Sequence, residues 1–354
     1  MPGPNEKLVR LSEAEAARLF EFYGQAETEI LNELNKGLLK GNDTRYLQGM
    51  LQNVQAILND LLNGSQQWCE EALPQVYIAG AEAAGEQIEA AGGRVIAGFG
   101  AIHQQAARVL AESALNRFND LTSFIGRRVN DIYRALALEN VRGSVVGYKS
   151  WQQVAKNYRE QLAEQGITGF KDVKGRQWNM RSYADMVSRT TTMEAHLEGT
   201  KNRLLEHDRD LVKISRHSNP CPLCRPWEGQ ILSLTGRTEG YRTLDEAKGF
   251  GLFHPRCKHA FGLFLPELAG EPEETKSMSQ ISRESEAAKK DYLEFTKEQR
   301  QVNEARKQWQ KYMVRLPNDT PKTFSAFLSM KRANSEKYQE LQQLYREVGS
   351  AIKG

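Results

Sequence analysis

Three of the four cysteines and three of the six histidines fall in one stretch, Ser215 to Phe264. It reads His217-Ser-Asn-Pro-Cys221-Pro-Leu-Cys224, then Trp227-Glu228-Gly229, then His254-Pro-Arg-Cys257-Lys-His259. A Cys-x-x-Cys followed downstream by Cys-x-His has zinc-ligand spacing, because thiolate and imidazole are the usual protein donors to a tetrahedral zinc ion. Cys221 and Cys224 can bind one ion from a tight turn, which Pro220 and Pro222 stiffen. Cys257 and His259, at i and i+2, point the same way on an extended chain. The expected ligands are therefore Cys221, Cys224, Cys257 and His259. His254 is the alternative fourth ligand and His217 a weaker one.

Three thiolates and one imidazole leave no position open for water. That argues for structural zinc holding a small domain, and against a hydrolytic centre. A redox reading of Cys-x-x-Cys needs a βαβ context, whereas Arg225-Pro-Trp-Glu-Gly229 reads as a turn. Glu228 could serve as a general base; the blander expectation is that it pairs with an arginine or caps a turn. Arg189 is expected to reach the same unit as a buried ion pair. Cys69, beside Trp68 on an apolar helical face, reads as a small buried hydrophobe. His103 reads as a partly buried or surface histidine and not as a ligand. Phosphate loops, nucleophile elbows and paired-carboxylate signatures are missing from the sequence.

The elements that must position these residues are mostly helical. Ser12-Glu-Ala-Glu15 matches a capping box and predicts a helix from there to about Asn35. Leu47, Met50, Leu51, Val54, Ile57, Leu58, Leu61 and Leu62 form a stripe at helical spacing, with Asn63-Gly64 as the expected end. Ala79 to Gly100 is rich in alanine and glycine, which permits close helix approach, with a break expected near Gly92-Gly93. Ala101 to Leu138 is amphipathic, Val145 to Gln165 continues helical, and Gly169 to Trp178 reads as a hairpin. Another helix starts at Ser182.

At Asp210 the character changes. Leu211 to Ser215, Gln230 to Leu234 and His259 to Leu265 read as strands, and Thr243-Leu-Asp-Glu246 is a second capping box. Beyond a Gly270-Glu-Pro-Glu-Glu linker the chain is charged and helical, and reads as solvated helices reaching toward a partner. The expected fold is mainly α with a small α+β zinc-stapled unit: a helical region over 1–166, the zinc-binding domain over 167–267 and a charged helical tail over 268–354.

The 354 residues carry 40% hydrophobic and 26% charged residues with a net charge of +3. That balance does not by itself argue for nucleic acid or an anionic membrane. No run approaches the ~18 apolar residues of a membrane span, and the first residues lack the apolar core of a signal peptide. A cytosolic setting is expected, which keeps thiols reduced and favours metal over disulfides.

The segment His217-x3-Cys-Pro-Leu-Cys-x2-Trp-Glu-Gly, followed by His254-Pro-x-Cys-x-His259, resembles phage minor capsid proteins of the Mu F-like head morphogenesis group. Gly175-Arg-Gln-Trp178-x4-Tyr183-Ala-Asp-Met186-x2-Arg189-Thr and Trp68-x5-Pro74-x2-Tyr77-x2-Gly80 extend the resemblance. Relatives carry Cys-x-Cys where this chain has Cys257-x-His259, which favours His259 over His254. The resemblance implies a non-enzymatic virion component, assembled in the bacterial host cytoplasm, that associates with portal protein and major capsid protein during head assembly and DNA packaging or delivery. It leaves phage double-stranded DNA and self-association open as further partners, with no membrane. The contrasting reading is a zinc-containing nucleic-acid-binding protein, or a nuclease-like or nucleotide-modifying domain using His217, Glu228, His254 and Arg189.

Overall fold

A computed structural model describes residues 4–40, 44–146, 170–171, 177–178, 180–217, 220–268 and 276–353. Three long helices come first: α1 (Pro4–Lys40), α2 (Thr44–Ala90) and α3 (Ala101–Val146). A short antiparallel pair follows, β1 (Phe170–Lys171) with β2 (Gln177–Trp178), and then α4 (Met180–Glu206). The small mixed region holds β3 (Leu211–Ile214), β4 (Ile231–Ser233), β5 (Arg242–Thr243), α5 (Leu244–Gly249) and β6 (Phe261–Leu263). The chain ends in α6 (Met278–Phe295), α7 (Lys297–Arg315), α8 (Phe324–Arg332) and α9 (Glu336–Lys353). The fold is mainly α with one small four-stranded sheet, as the sequence patterning predicts. The expected helix over residues 147–165 and the turn residues 172–176 lie outside the described residues.

Two helix boundaries differ from expectation. Ser12 is not a cap; α1 starts at Pro4, where a proline in the first turn sacrifices no hydrogen bond. Gly64 does not end α2, which continues through Pro74 to Ala90. A Cβ on Gly64 would sit 2.5 Å from the Phe22 ring, so this glycine makes room for packing and terminates nothing. The break at Gly92 is present, with φ +82.

The chain forms two compact units, each discontinuous in sequence. The first comprises Met1–Leu19, Ser65–Arg117 and Asp185–Lys297; the second comprises Phe20–Gly64, Phe118–Ala184 and Glu298–Gly354. In the second unit the stripe Leu47, Met50, Val54, Leu58 and Leu61 is buried, as are Phe118, Leu121, Ile125, Val129, Ile132 and Leu136 on α3. Steps of three and four residues put each set on one helical face. Burying each of these large side chains contributes about 2 kcal/mol. Tyr23 of α1 meets Phe118 with ring centroids 5.5 Å apart. The last three helices also build a core, in which Trp309, Tyr312, Met313, Leu316, Phe327, Tyr338 and Leu341 cluster. The few apolar anchors of this charged segment thus face one another, where the sequence suggested solvated helices.

The first unit carries the sheet, in the order β5-β4-β3-β6. Central β3 pairs antiparallel with β4 (Val212 opposite Leu232) and with β6 (Val212 opposite Leu263), while β5 runs parallel to β4. The capping box at Thr243 and Glu246 is formed and starts α5. Val212, Ile214, Leu232, Trp227, Phe261, Ile88 of α2 and Ile281 of α6 share one core. The outward amide of Leu263 on edge strand β6 donates to Gln87 Oε1 of α2 at 2.7 Å.

Within this unit α2 and α4 cross at two glycines. A Cβ on Gly199 would lie 2.1 Å from the Tyr77 carbonyl oxygen, and one on Gly80 would lie 2.3 Å from that of His196. Thr200 Oγ1 donates to the Gly80 carbonyl at 3.1 Å across the crossing. The small residues of α2 therefore allow the backbone contact that their composition suggested.

Candidate metal centre

The cysteine-bearing turn follows β3 in the chain. Cys224 N and Arg225 N both donate to the Cys221 carbonyl, at 3.1 and 3.0 Å, and close the turn that prolines 220 and 222 predispose. A short 3-10 turn, Arg225–Trp227, follows and buries Trp227 beneath the site. The second donor group sits before β6. Ser215 N donates to the Ala260 carbonyl at 2.8 Å, and Ala260 N donates to Ser215 Oγ at 2.9 Å. These bonds tie the end of β3 to the start of β6 and so bring the two halves of the motif together.

Phe253 and Arg256 flank His254-Pro255 with φ of 56 and 67. A left-handed conformation costs a non-glycine residue about 1–2 kcal/mol. Two such residues in one short loop aim His254 and Cys257 at the cysteine turn, as strained backbone at functional sites does.

The donors converge. His254 Nε2 lies 2.8 Å from Cys221 Sγ, the sulfurs of Cys224 and Cys257 are 3.3 Å apart, and His259 Nδ1 is 3.6 Å from Cys257 Sγ. Cys221, Cys224 and His254 form one group, and Cys224, Cys257 and His259 a second, each with its ligand atoms within 4.8 Å of one another. Donors around one tetrahedral ion stand roughly 3.5 Å apart, given bonds of ~2.0–2.3 Å. The two groups share Cys224, and each is close enough to hold a metal ion. Of the sequence-predicted ligands, Cys221 and Cys224 fall in the first group with the alternative His254, and Cys224, Cys257 and His259 form the second.

Each imidazole is also aimed from behind. His254 Nδ1 donates to the Pro255 carbonyl at 2.8 Å, leaving Nε2 toward Cys221. His259 Nε2 donates to Glu228 Oε1 at 3.0 Å, leaving Nδ1 toward Cys257. A carboxylate or carbonyl on the far nitrogen is the usual support of a metal-bound histidine. Glu228 Oε1 also accepts from His217 N at 2.8 Å. Glu228 thus pairs with His259 and a backbone amide, where pairing with an arginine or the capping of a turn was expected. No local motif announces this contact, because 31 residues separate the partners.

The electrostatics favour thiolate. Cys221 is pulled down to about 4, first by the hydrogen bond from the Cys224 thiol and then, against burial, by His254. Cys257 is pulled down to about 5, again first by Cys224 and then, against burial, by His259. Cys224, the shared donor, is pushed up by its bonds to those two sulfurs and by burial. Thiolate is the form that binds metal.

The remaining candidates lie nearby or elsewhere. His217 packs on His259 with ring centroids 4.4 Å apart, and its Nε2 is 3.0 Å from Ser215 Oγ. Arg189 pairs with Asp185 at 2.7 Å and, with Arg256 and Cys257, lines a cavity of about 30 Å³. Arg256 pairs with the same Asp185 at 2.6 Å. His103 is buried between Tyr77 Oη at 3.0 Å and Glu206 at 3.2 Å, away from the cysteines in sequence and partners. Cys69 is buried, and burial pushes its thiol up to about 12.

Comparison with known families identifies a relationship that spans this helical scaffold and its small sheet. The model of phage minor capsid protein 2 matches residues 10–343, nearly the whole chain. The chain belongs to the phage minor capsid protein 2 family, and its role is structural, in the phage head. Neither the comparison with curated proteins nor that with solved structures gave a match. Among the described residues, no helix is long and apolar enough to cross a membrane.

Proposed function

We propose that this chain is an assembly component of the phage head whose small sheet is held by structural zinc. The convergence of three thiols and two back-supported imidazoles carries the metal reading. Cys221, Cys224, Cys257 and His259 are the proposed ligands, with His254 as the alternative to His259. When bound, zinc supplies a crosslink between the Cys221 turn and the Cys257 loop. The chain's own residues then hold the centre: Glu228 orients His259, Pro255 orients His254, and Trp227 closes the site from below.

This centre works as a staple without catalysing a reaction. The Glu228 oxygen that faces His259 already accepts two hydrogen bonds, which supports an orienting role over that of a general base. The partners proposed are the portal protein and the major capsid protein, with phage double-stranded DNA and self-association as further contacts during assembly in the host cytoplasm.

Metal analysis of protein purified without chelator should return about one zinc per chain. Cys221→Ser or Cys224→Ser should lose both metal and the folded sheet, while Glu228→Gln keeps the fold. A metal-free wild-type protein would refute the zinc reading. Co-expression with portal protein followed by gradient sedimentation tests assembly: a chain that never travels with portal or heads is not an assembly partner of either.

A further inference from the structure

Helix α6 contributes more to the metal centre than a connection to the C-terminal helices. Its Ile281 is 1% exposed and belongs to the same core as Cys224, Trp227 and Cys257. Before it, Lys276 N donates to Gln230 Oε1 at 3.1 Å, just beyond the cysteine turn. At the other end, the Tyr292 ring stands edge-on to the His254 imidazole, with centroids 5.1 Å apart and planes at 69°. Neighbouring Asp291 lies 4.0 Å from Arg225, an exposed pair worth little by itself.

His254 therefore has three restraints: the Pro255 carbonyl on Nδ1, Cys221 beyond Nε2, and Tyr292 against the ring. The hydrogen bond to Pro255 fixes which nitrogen faces the cysteines but lets the ring swing about that bond. The Tyr292 ring packs against the imidazole and limits the swing. The dependence runs both ways. Leu293 and Phe295 are 58% and 50% exposed, so past Ala288 the inward anchor of α6 is Tyr292 on His254.

We propose that Tyr292 is a positioning residue of the metal centre: by holding the His254 ring it slows metal loss, and an ordered His254 in turn seats the last turns of α6. This inference rests on the zinc reading above, taken with His254 as the fourth ligand. It adds a specific residue, 33 positions beyond His259 at the end of the motif, to the centre's working parts.

Zinc release from the loaded full-length protein to a chromogenic chelator tests it. Tyr292→Ala should release about three- to tenfold faster, the factor an aromatic pair is worth. Tyr292→Phe should restore the wild-type rate, because the contact uses the ring and not the hydroxyl. In a His254→Ala background, Tyr292→Ala should add nothing, the signature of a contact that acts through its partner. Cobalt-loaded Tyr292→Ala should also show altered ligand-field bands relative to wild type and Tyr292→Phe.

Equal release rates for wild type and Tyr292→Ala, with one zinc bound in each, overturn the role of Tyr292 and leave the zinc reading intact. An undiminished Tyr292→Ala effect without His254 overturns the route through His254. A wild-type protein that binds no zinc overturns both readings.

Discussion

Replacing Gly199 with alanine should destabilise the protein, although alanine is the better helix former. In an open helix the exchange gains about 1 kcal/mol. Here the added Cβ would lie 2.1 Å from the Tyr77 carbonyl oxygen, where a carbon–oxygen contact needs more than 3 Å. Helices α2 and α4 must separate by roughly 1 Å. Overpacking of that kind costs about 1–3 kcal/mol. Separation also stretches the 3.1 Å bond from Thr200 to the Gly80 carbonyl, worth about 1 kcal/mol. The net expectation is a loss of about 2 kcal/mol, or roughly 4–8 °C in melting temperature for a unit of this size. Thermal unfolding followed by circular dichroism reads it. Gly49→Ala is the matched control, since nothing lies within 4 Å of its added Cβ; it should raise stability by about 0.5–1 kcal/mol. Gly80→Ala should behave like Gly199→Ala, and the double substitution should fall short of the sum, because one movement relieves both clashes. A Gly199→Ala protein as stable as wild type would refute the close crossing.

Two further outcomes follow from buried polar groups. Among the described residues neither ring nitrogen of fully buried His196 has a hydrogen-bond partner, and burial pushes its pKa down to about 4. The unfolded chain, with a histidine near 6.5, binds the proton more readily, so stability is full above that pH and declines as pH falls toward 4. The loss should be about 2 kcal/mol at pH 5, measured by urea unfolding, and His196→Leu should flatten this part of the pH profile; an equally steep variant would disprove it. Asp210 accepts from Ser233 Oγ, Thr235 N, Thr235 Oγ1 and Thr238 Oγ1, at 2.5 to 2.9 Å. Burial pushes its carboxyl up, but those bonds outweigh it and hold it well below the usual range. Asp210→Asn should cost about 2–3 kcal/mol through lost charge-assisted bonds, seen as a lower denaturation midpoint; an unchanged midpoint would mean the loop does not depend on the charge.

The cysteine and histidine types and their spacing made the candidate ligands legible, because metal chemistry restricts both. Helical periodicity likewise exposed the buried stripes of α2 and α3. Gly64 misled because its role is to accept the Phe22 ring, a contact that local punctuation does not encode. Ser12 misled for a related reason: its capping box is a local signal, and the helix had already started at Pro4. Glu228 and Tyr292 were legible as residues but not as neighbours of His259 and His254, since β3, β6 and α6 must assemble first. The charged C-terminal segment looked partnerless because its apolar residues are sparse; they suffice for a core only because α7, α8 and α9 turn them toward one another.

The glutamine on the Leu263 amide has a consequence for how copies of this protein can associate. A sheet edge with free donors is a template onto which another chain's strand can add. Here one edge strand, β5, is two residues long, and the outward amide of the other is satisfied by Gln87. Extending the sheet would first require withdrawing that side chain from β6. Strand exchange between copies is thereby disfavoured.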